Sequence, residues 1–186
     1  GSSVDYESTS QQYLLIPDAD ELDPGDTFTL ECLFRPEGLG ANQTLFDKGT
    51  NGYNMTVTSG GLLQLQKRGS GAIVNSTVTL QAGTTYHLAA TKSGATVKLY
   101  IDGIDRTGTV TDRTVQATAT DLHIGRASAS TNYIDGRLQE AAFYGTALSG
   151  ARIAAHVAAL SQPGVVALSP GTGHVVINGH RPRLSI

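Results

Sequence analysis

Five residues of this chain have side chains of the types suited to binding a polar ring such as a sugar: Asn51, Tyr53, Arg126, Asn132 and Tyr133. Planar amide and guanidinium groups match the paired hydroxyls of a sugar ring, and an exposed aromatic face packs against its C–H side. Tyr133 follows the polar loop Ala127-Ser-Ala-Ser-Thr-Asn and reads either as an exposed stacking ring or as a core aromatic at the start of a strand. Hydrolysis would need more. A retaining glycosidase requires two carboxylates about 5–5.5 Å apart. The nearest string, Glu21-Leu-Asp23-Pro-Gly-Asp26, contains Pro24-Gly25 and is therefore a turn, whose acids are expected to point into solvent. Glu31 and Glu140 stand singly on strands with no acid two residues on. No catalytic residue is assigned.

The remaining candidates are read as structural. Of the histidines, His87 and His123 fall on the wet faces of strands and His156 on a helix, while His174 and His180 could meet across a hairpin without a Cys or acid nearby. None has zinc-ligand spacing. Neither a phosphate loop nor a nucleophile elbow is present. Cys32, in step with Phe28, Leu30 and Phe34, reads as a small buried hydrophobe, and a single Cys makes no internal disulfide.

The elements that must position these groups are strands. In Thr84–Gly103, Tyr86, Leu88 and Ala90 alternate with His87, Ala89 and Thr91. Lys92-Ser93-Gly94 then turns the chain, and Val97, Leu99 and Ile101 alternate with Lys98 and Tyr100. Such period-two alternation encodes an antiparallel hairpin with one dry face. The same pattern recurs at 26–35, 44–49, 53–57, 63–65, 73–80, 122–124 and 133–145; the last places Leu138, Ala142 and Tyr144 on one face. The Thr-rich stretch 110–118 reads as an edge or loop. The period then changes. Leu148, Ile153, His156, Val157 and Leu160 follow helical spacing, and Ser149 caps the start of a helix over about 148–160. Ser161-Gln-Pro-Gly stops it, and 161–186 reads as an extended tail with a possible Asn178-Gly179 hairpin. The expectation is an all-β, antiparallel two-sheet sandwich (jelly roll) over 1–160 with one short C-terminal helix, and a tail at 161–186 that packs on the sandwich or on another subunit.

Bulk properties narrow the partners. The net charge is −3 with scattered Lys and Arg, which offers no field for nucleic acid, and no apolar run reaches the length of a membrane-spanning helix.

Several pieces resemble, in order, the laminin-G-like, concanavalin A-type jelly rolls. They are Asp26-Thr-Phe-Thr-Leu-Glu, then Leu45-Phe-Asp-Lys-Gly49 with Tyr53, the hairpin at 84–103, Leu122-His-Ile-Gly125, and Tyr133-Ile-Asp-Gly136 through Ala147-Leu-Ser149. The resemblance spans roughly 6–160 and implies a binding module more than an enzyme. This chain departs from the pattern in having no Trp, which removes core volume and the aromatic surface that many lectins use. The resemblance also implies calcium as the metal to consider, on Asp47 and Asp135 with Asn51 or Asn132 beside them; the same two acids serve equally as ordinary turn residues. Otherwise no cofactor is expected. The tail, Ser169-Pro-Gly-Thr-Gly-His-Val-Val-Ile-Asn-Gly-His-Arg-Pro, is similar to terminal segments of tailed-bacteriophage virion proteins. That similarity implies display on a capsid or tail, with Val175, Ile177, His180, Arg181 and Arg183 contacting other virion subunits in a homo-oligomer. The expected function is a non-catalytic surface module for binding a glycan or cell-surface polysaccharide, or for decorating the particle. A secreted or cell-surface bacterial carbohydrate-binding module is the alternative, and a glycoside hydrolase a more distant one.

Overall fold

The structure, a computed structural model, describes residues 4–160; the tail residues Val175, Ile177, His180, Arg181 and Arg183 lie outside the described residues. Two six-stranded antiparallel sheets stack face to face. The first runs β1 (Val4–Tyr6), β12 (Gly136–Tyr144), β3 (Thr27–Pro36), β8 (Tyr86–Ser93), β9 (Thr96–Ile101) and β10 (Ile104–Asp105). The second runs β2 (Leu14–Ile16), β11 (Leu122–Ile124), β4 (Gln43–Asp47), β5 (Tyr53–Val57), β6 (Leu62–Lys67) and β7 (Gly71–Thr79). One helix, α1 (Gly150–Leu160), follows β12, and Ser149 caps it by accepting the amide of Arg152 at 3.2 Å. The 110–118 stretch forms no strand.

The core is the set of alternate residues read from the sequence. Phe28, Leu30, Cys32 and Phe34 of β3 meet Met55, Val57, Leu63 and Leu65 of the opposite sheet, all fully buried. Burial pushes the Cys32 thiol far up, so it remains an un-ionised hydrophobe. Phe28, Tyr53 and Phe143 form an aromatic series in this core, with ring centroids 5.2 and 5.6 Å apart along it.

Three expectations are corrected. First, β8 has two dry faces, because α1 lies across the outer side of the first sheet: Ile153, Ala89 and Tyr100 form a small second core there. His87 is consequently 5% exposed instead of wet; His123, on β11 of the other sheet, is 7% exposed with the Tyr13 ring stacked near it. On that outer side Glu31 is clasped by three groups. His156 Nδ1 lies 2.9 Å from one carboxylate oxygen, Tyr144 donates its hydroxyl to the same oxygen at 2.9 Å, and His87 Nε2 stands 3.5 Å from the other. Second, β12 contains a bulge. Glu140 has φ 49°, and two residues oppose one of β3 between Gln139 and Ala142. Leu138 and Phe143 therefore face the core, while Tyr144 turns out toward α1 instead of joining Leu138. Third, the acids of the 18–26 turn do not all point into solvent. Asp18 and Asp23 pair with the buried Lys48, and Asp26 with the buried Lys92. Lys48 Nζ also donates to the carbonyls of Thr118 and Thr120 at 2.8 Å each. Lys92 Nζ reaches Gly94 O at 2.6 Å and Asp112 at 3.0 Å. Each ammonium is thus taken from water but compensated by opposite charge and carbonyls.

Candidate functional site

Because β5 and β6 place Met55, Val57, Leu63 and Leu65 inward, their alternate residues Asn54, Thr56, Gln64 and Gln66 must face the other way. Register extends this outer face across four strands. Thr44, Thr56, Gln64 and Asn75 form one row; Asp47, Asn54 and Gln66 form the next, with Arg68 just beyond β6. The groups are hydrogen-bonded along the rows. Gln64 donates to Asn75 at 2.7 Å, Gln66 to Asn54 at 2.8 Å and Thr56 to Asn54 at 2.6 Å, and the Thr44 and Thr56 hydroxyls lie 3.2 Å apart. Asn54 keeps a buried amide nitrogen without a partner. Gln64, Gln66 and Asn75 are half-buried, whereas Thr44, Asn54 and Thr56 are covered. This is a fixed floor of amides whose orientation is set before any ligand arrives.

The floor ends at a depression of about 560 Å³ lined by Thr50, Arg68, Gly69, Thr120, Ser128 and Ala129. Asp47 fixes this end. It is fully buried and accepts from the amides of Gly49 and Ser128 at 2.8 Å each and from Arg68 Nε at 3.2 Å. Its contact with Ser128 ties down the loop 126–133, which also gives its Asn132 carbonyl to the Thr44 amide at 2.9 Å. Ser130 and Asn132 hold left-handed backbone at φ 57° and 54°. Non-glycine residues adopt this conformation at a cost, and it concentrates at binding loops.

The five sugar-binding candidates are not brought together as one set. Arg126 and Tyr133 meet: Arg126 Nη1 donates to the Tyr133 hydroxyl at 3.4 Å and to Ser130 Oγ at 2.8 Å. Asn132 is their neighbour on the loop. Asn51 is exposed beside Thr50, at the edge of the larger depression. Tyr53 is corrected to a core residue, 1% exposed, its hydroxyl on the Leu22 carbonyl at 3.3 Å; burial and the charges of Asp23 and Asp47 push its ionisation up. The proposed calcium pair is also not assembled. Asp135 donates its amide to Gln43 at the start of β4, whereas Asp47 ends that strand. The two acids are thus tied to opposite ends of β4, and among the described residues no three His, Cys, Asp or Glu side chains gather to hold a metal ion. Both oxygens of Asp47 are already engaged, so the two acids do not fit a common calcium.

The sequence reading missed Gln64, Gln66, Arg68, Asn75 and Tyr13. Polar residues at every second position between Leu63 and Leu65 signal a wet face, but which strands lie side by side is set by long-range pairing. Tyr13 lies far from the loop in sequence; the structure places Arg126 over its ring at 3.6 Å, and His123 stacks near it at 6.3 Å.

The fold is widely shared. Domain 4 of AbnA, an extracellular arabinanase from Geobacillus stearothermophilus solved with arabinotriose, superimposes with a TM-score of 0.65 at 17% identity over 82% of this chain and 75% of that one. The binding domain of Paraclostridial Mosquitocidal Protein 1 does so at 0.65 and 14% identity, over 86% of this chain but only 45% of that one. A heptameric SAP-like pentraxin from Limulus polyphemus matches at 0.55 and 17%, over 76% and 79%. No curated protein matches at the level of sequence. The family model described as the concanavalin A-like lectin/glucanases superfamily matches residues 8–154, most of the chain, and the protein belongs to that family.

Proposed function

We propose that the protein is a non-catalytic carbohydrate-binding module whose site is the amide floor of the second sheet and the depression beside Arg68. The observation that carries this reading is the double row Thr44, Thr56, Gln64, Asn75 and Asp47, Asn54, Gln66, held rigid by its own hydrogen bonds. The half-buried amides Gln64, Gln66 and Asn75, held in place by the covered Thr44, Asn54 and Thr56 beneath them, discriminate sugar hydroxyls by geometry and need no mobile nucleophile. The strands of this sheet carry a single carboxylate, Asp47, which is buried and already paired, whereas glycosidic cleavage needs two. The AbnA domain, bound to arabinotriose, supports the same reading.

A glycan array followed by calorimetry tests it. Neutral oligosaccharides should bind, and Gln66→Ala should weaken binding about tenfold, the equivalent of about 1.4 kcal/mol. The fold should be nearly unaffected, because Asn54 keeps its bond from Thr56. A blank array with an intact fold, or an unchanged affinity in the variant, would overturn the assignment. The proposal extends to a setting on a virion surface, on the tail's sequence resemblance alone, with residues 161–186 joining subunits. The full chain should then have an oligomeric mass in light scattering and a chain lacking 161–186 a monomeric one; equal masses would remove this part.

A further inference from the structure

Arg126 is a cation without a counterion. No carboxylate lies within 4.0 Å of Arg126, a situation it shares with Arg35, Lys67, Arg106, Arg113 and Arg152 among the described residues; Arg126 is set apart by a buried Nε that has no acceptor. Its guanidinium is nevertheless held rigidly. The flat face rests on Tyr13 at 3.6 Å, Nη1 is fixed by Ser130 and Tyr133, and Nε is buried with no acceptor. A half-buried guanidinium with a buried, unmet Nε is under-compensated, and an arriving oxyanion supplies the missing opposite charge. Pinning the group beforehand lowers the entropy lost on binding. The strained Ser130 and Asn132 backbone maintains this arrangement.

Beside it, Tyr133 lines a second depression of about 210 Å³ together with Ser8, Gly38, Gly40, Gln43 and Asp135. Tyr133 therefore joins a cationic group to a small polar hollow whose lining includes the Asp135 carboxylate. Asp135 uses one oxygen for the Ser8 amide at 3.1 Å; the other is an acceptor for hydroxyls and repels anions. A ligand fitting both ends has a carboxylate at one side of its ring and hydroxyls at the other. Resting on the carbohydrate-binding reading, we propose that Arg126, Tyr13 and Tyr133 form a separate subsite for an acidic sugar, with the sugar carboxylate on Arg126 and its ring hydroxyls toward Asp135.

The test follows the Arg126 side-chain Nε signal by NMR in the full chain during titration with sodium D-glucuronate, its methyl ester and sodium sulfate. Glucuronate should move the signal, the uncharged ester should not, and sulfate should act more weakly. Arg126→Gln should lower glucuronate affinity about tenfold or more, and Tyr13→Leu should weaken it while leaving the Gln66-dependent binding of neutral oligosaccharides unchanged. An equal response to ester and glucuronate would overturn the role of charge, an equal response to sulfate would overturn sugar recognition, and no response to any would remove the subsite. Neutral oligosaccharides binding the floor while Arg126 stays silent would sink this subsite alone. Loss of both would sink the parent reading as well.

Discussion

Lys48→Ala should destabilise the fold by about 3–5 kcal/mol, because removing one partner of a buried ion pair strands the other. For a domain of this size that lowers the melting temperature by roughly 6–20 °C. Lys48 is fully buried, and its ammonium is the shared partner of Asp18, Asp23 and the carbonyls of Thr118 and Thr120. Without it, two acids and two carbonyls face each other across a gap. The control lies in the same molecule. Lys98 pairs with Asp105 at 2.9 Å, but both side chains are about half exposed, so Lys98→Ala should leave the melting temperature almost unmoved. Calorimetry of both variants decides the matter; similar small shifts would show that the Lys48 cage adds little. The cage also fixes Thr120, which lines the larger depression, so Lys48 variants that still fold should bind oligosaccharide more weakly.

Replacing Glu31 by Gln should cost about 2–4 kcal/mol at neutral pH, since the charge is lost and one of the two oxygens that His87, His156 and Tyr144 converge on becomes an NH2 donor, in a place where burial denies the unmatched group water. The effect should be pH-dependent. Burial by itself raises the pKa of Glu31, but hydrogen bonds from His87, His156 and Tyr144 and the charge of His156 outweigh it and hold the group below its ordinary value of 4.5. A depressed carboxylate contributes stability that is fully present above 4.5 and is lost as the pH falls through the lower, folded value. Thermal melts should therefore show wild type and Glu31→Gln far apart at pH 7 and converging in acid. A constant gap between them would refute the assignment. The burial that opposes ionisation of Glu31, together with its charge, pushes the Tyr144 hydroxyl far up, keeping it a donor across the whole range.

The sandwich was legible because alternation is a local property: Phe28, Leu30, Cys32 and Phe34 announce their face within ten residues. The helix and its Ser149 cap were legible for the same reason. What alternation does not report is what covers the other face. His87 and Glu31 occupy wet positions in the pattern and are dry because α1, more than fifty residues downstream, lies over them. The site was legible only in part. Arg126 and Tyr133 share a short polar loop, so their meeting is local. Gln64, Asn75 and Thr56 become neighbours only through strand pairing, and the buried lysines through contacts with the 18–26 turn and the 112–120 segment. Tyr53 misled because an aromatic at a strand start looks the same from either side of a sheet.

The bulge at Glu140 has a consequence for how β12 is written. One supernumerary residue shifts the phase of the strand by half a cycle, so its first half is addressed to the interior through Leu138 and its last residues deliver Phe143 inward and Tyr144 outward. The strand thereby serves as a coupler between two packings that a regular ribbon would keep separate. The same nine residues that close the sandwich also present the hydroxyl that moors the helix.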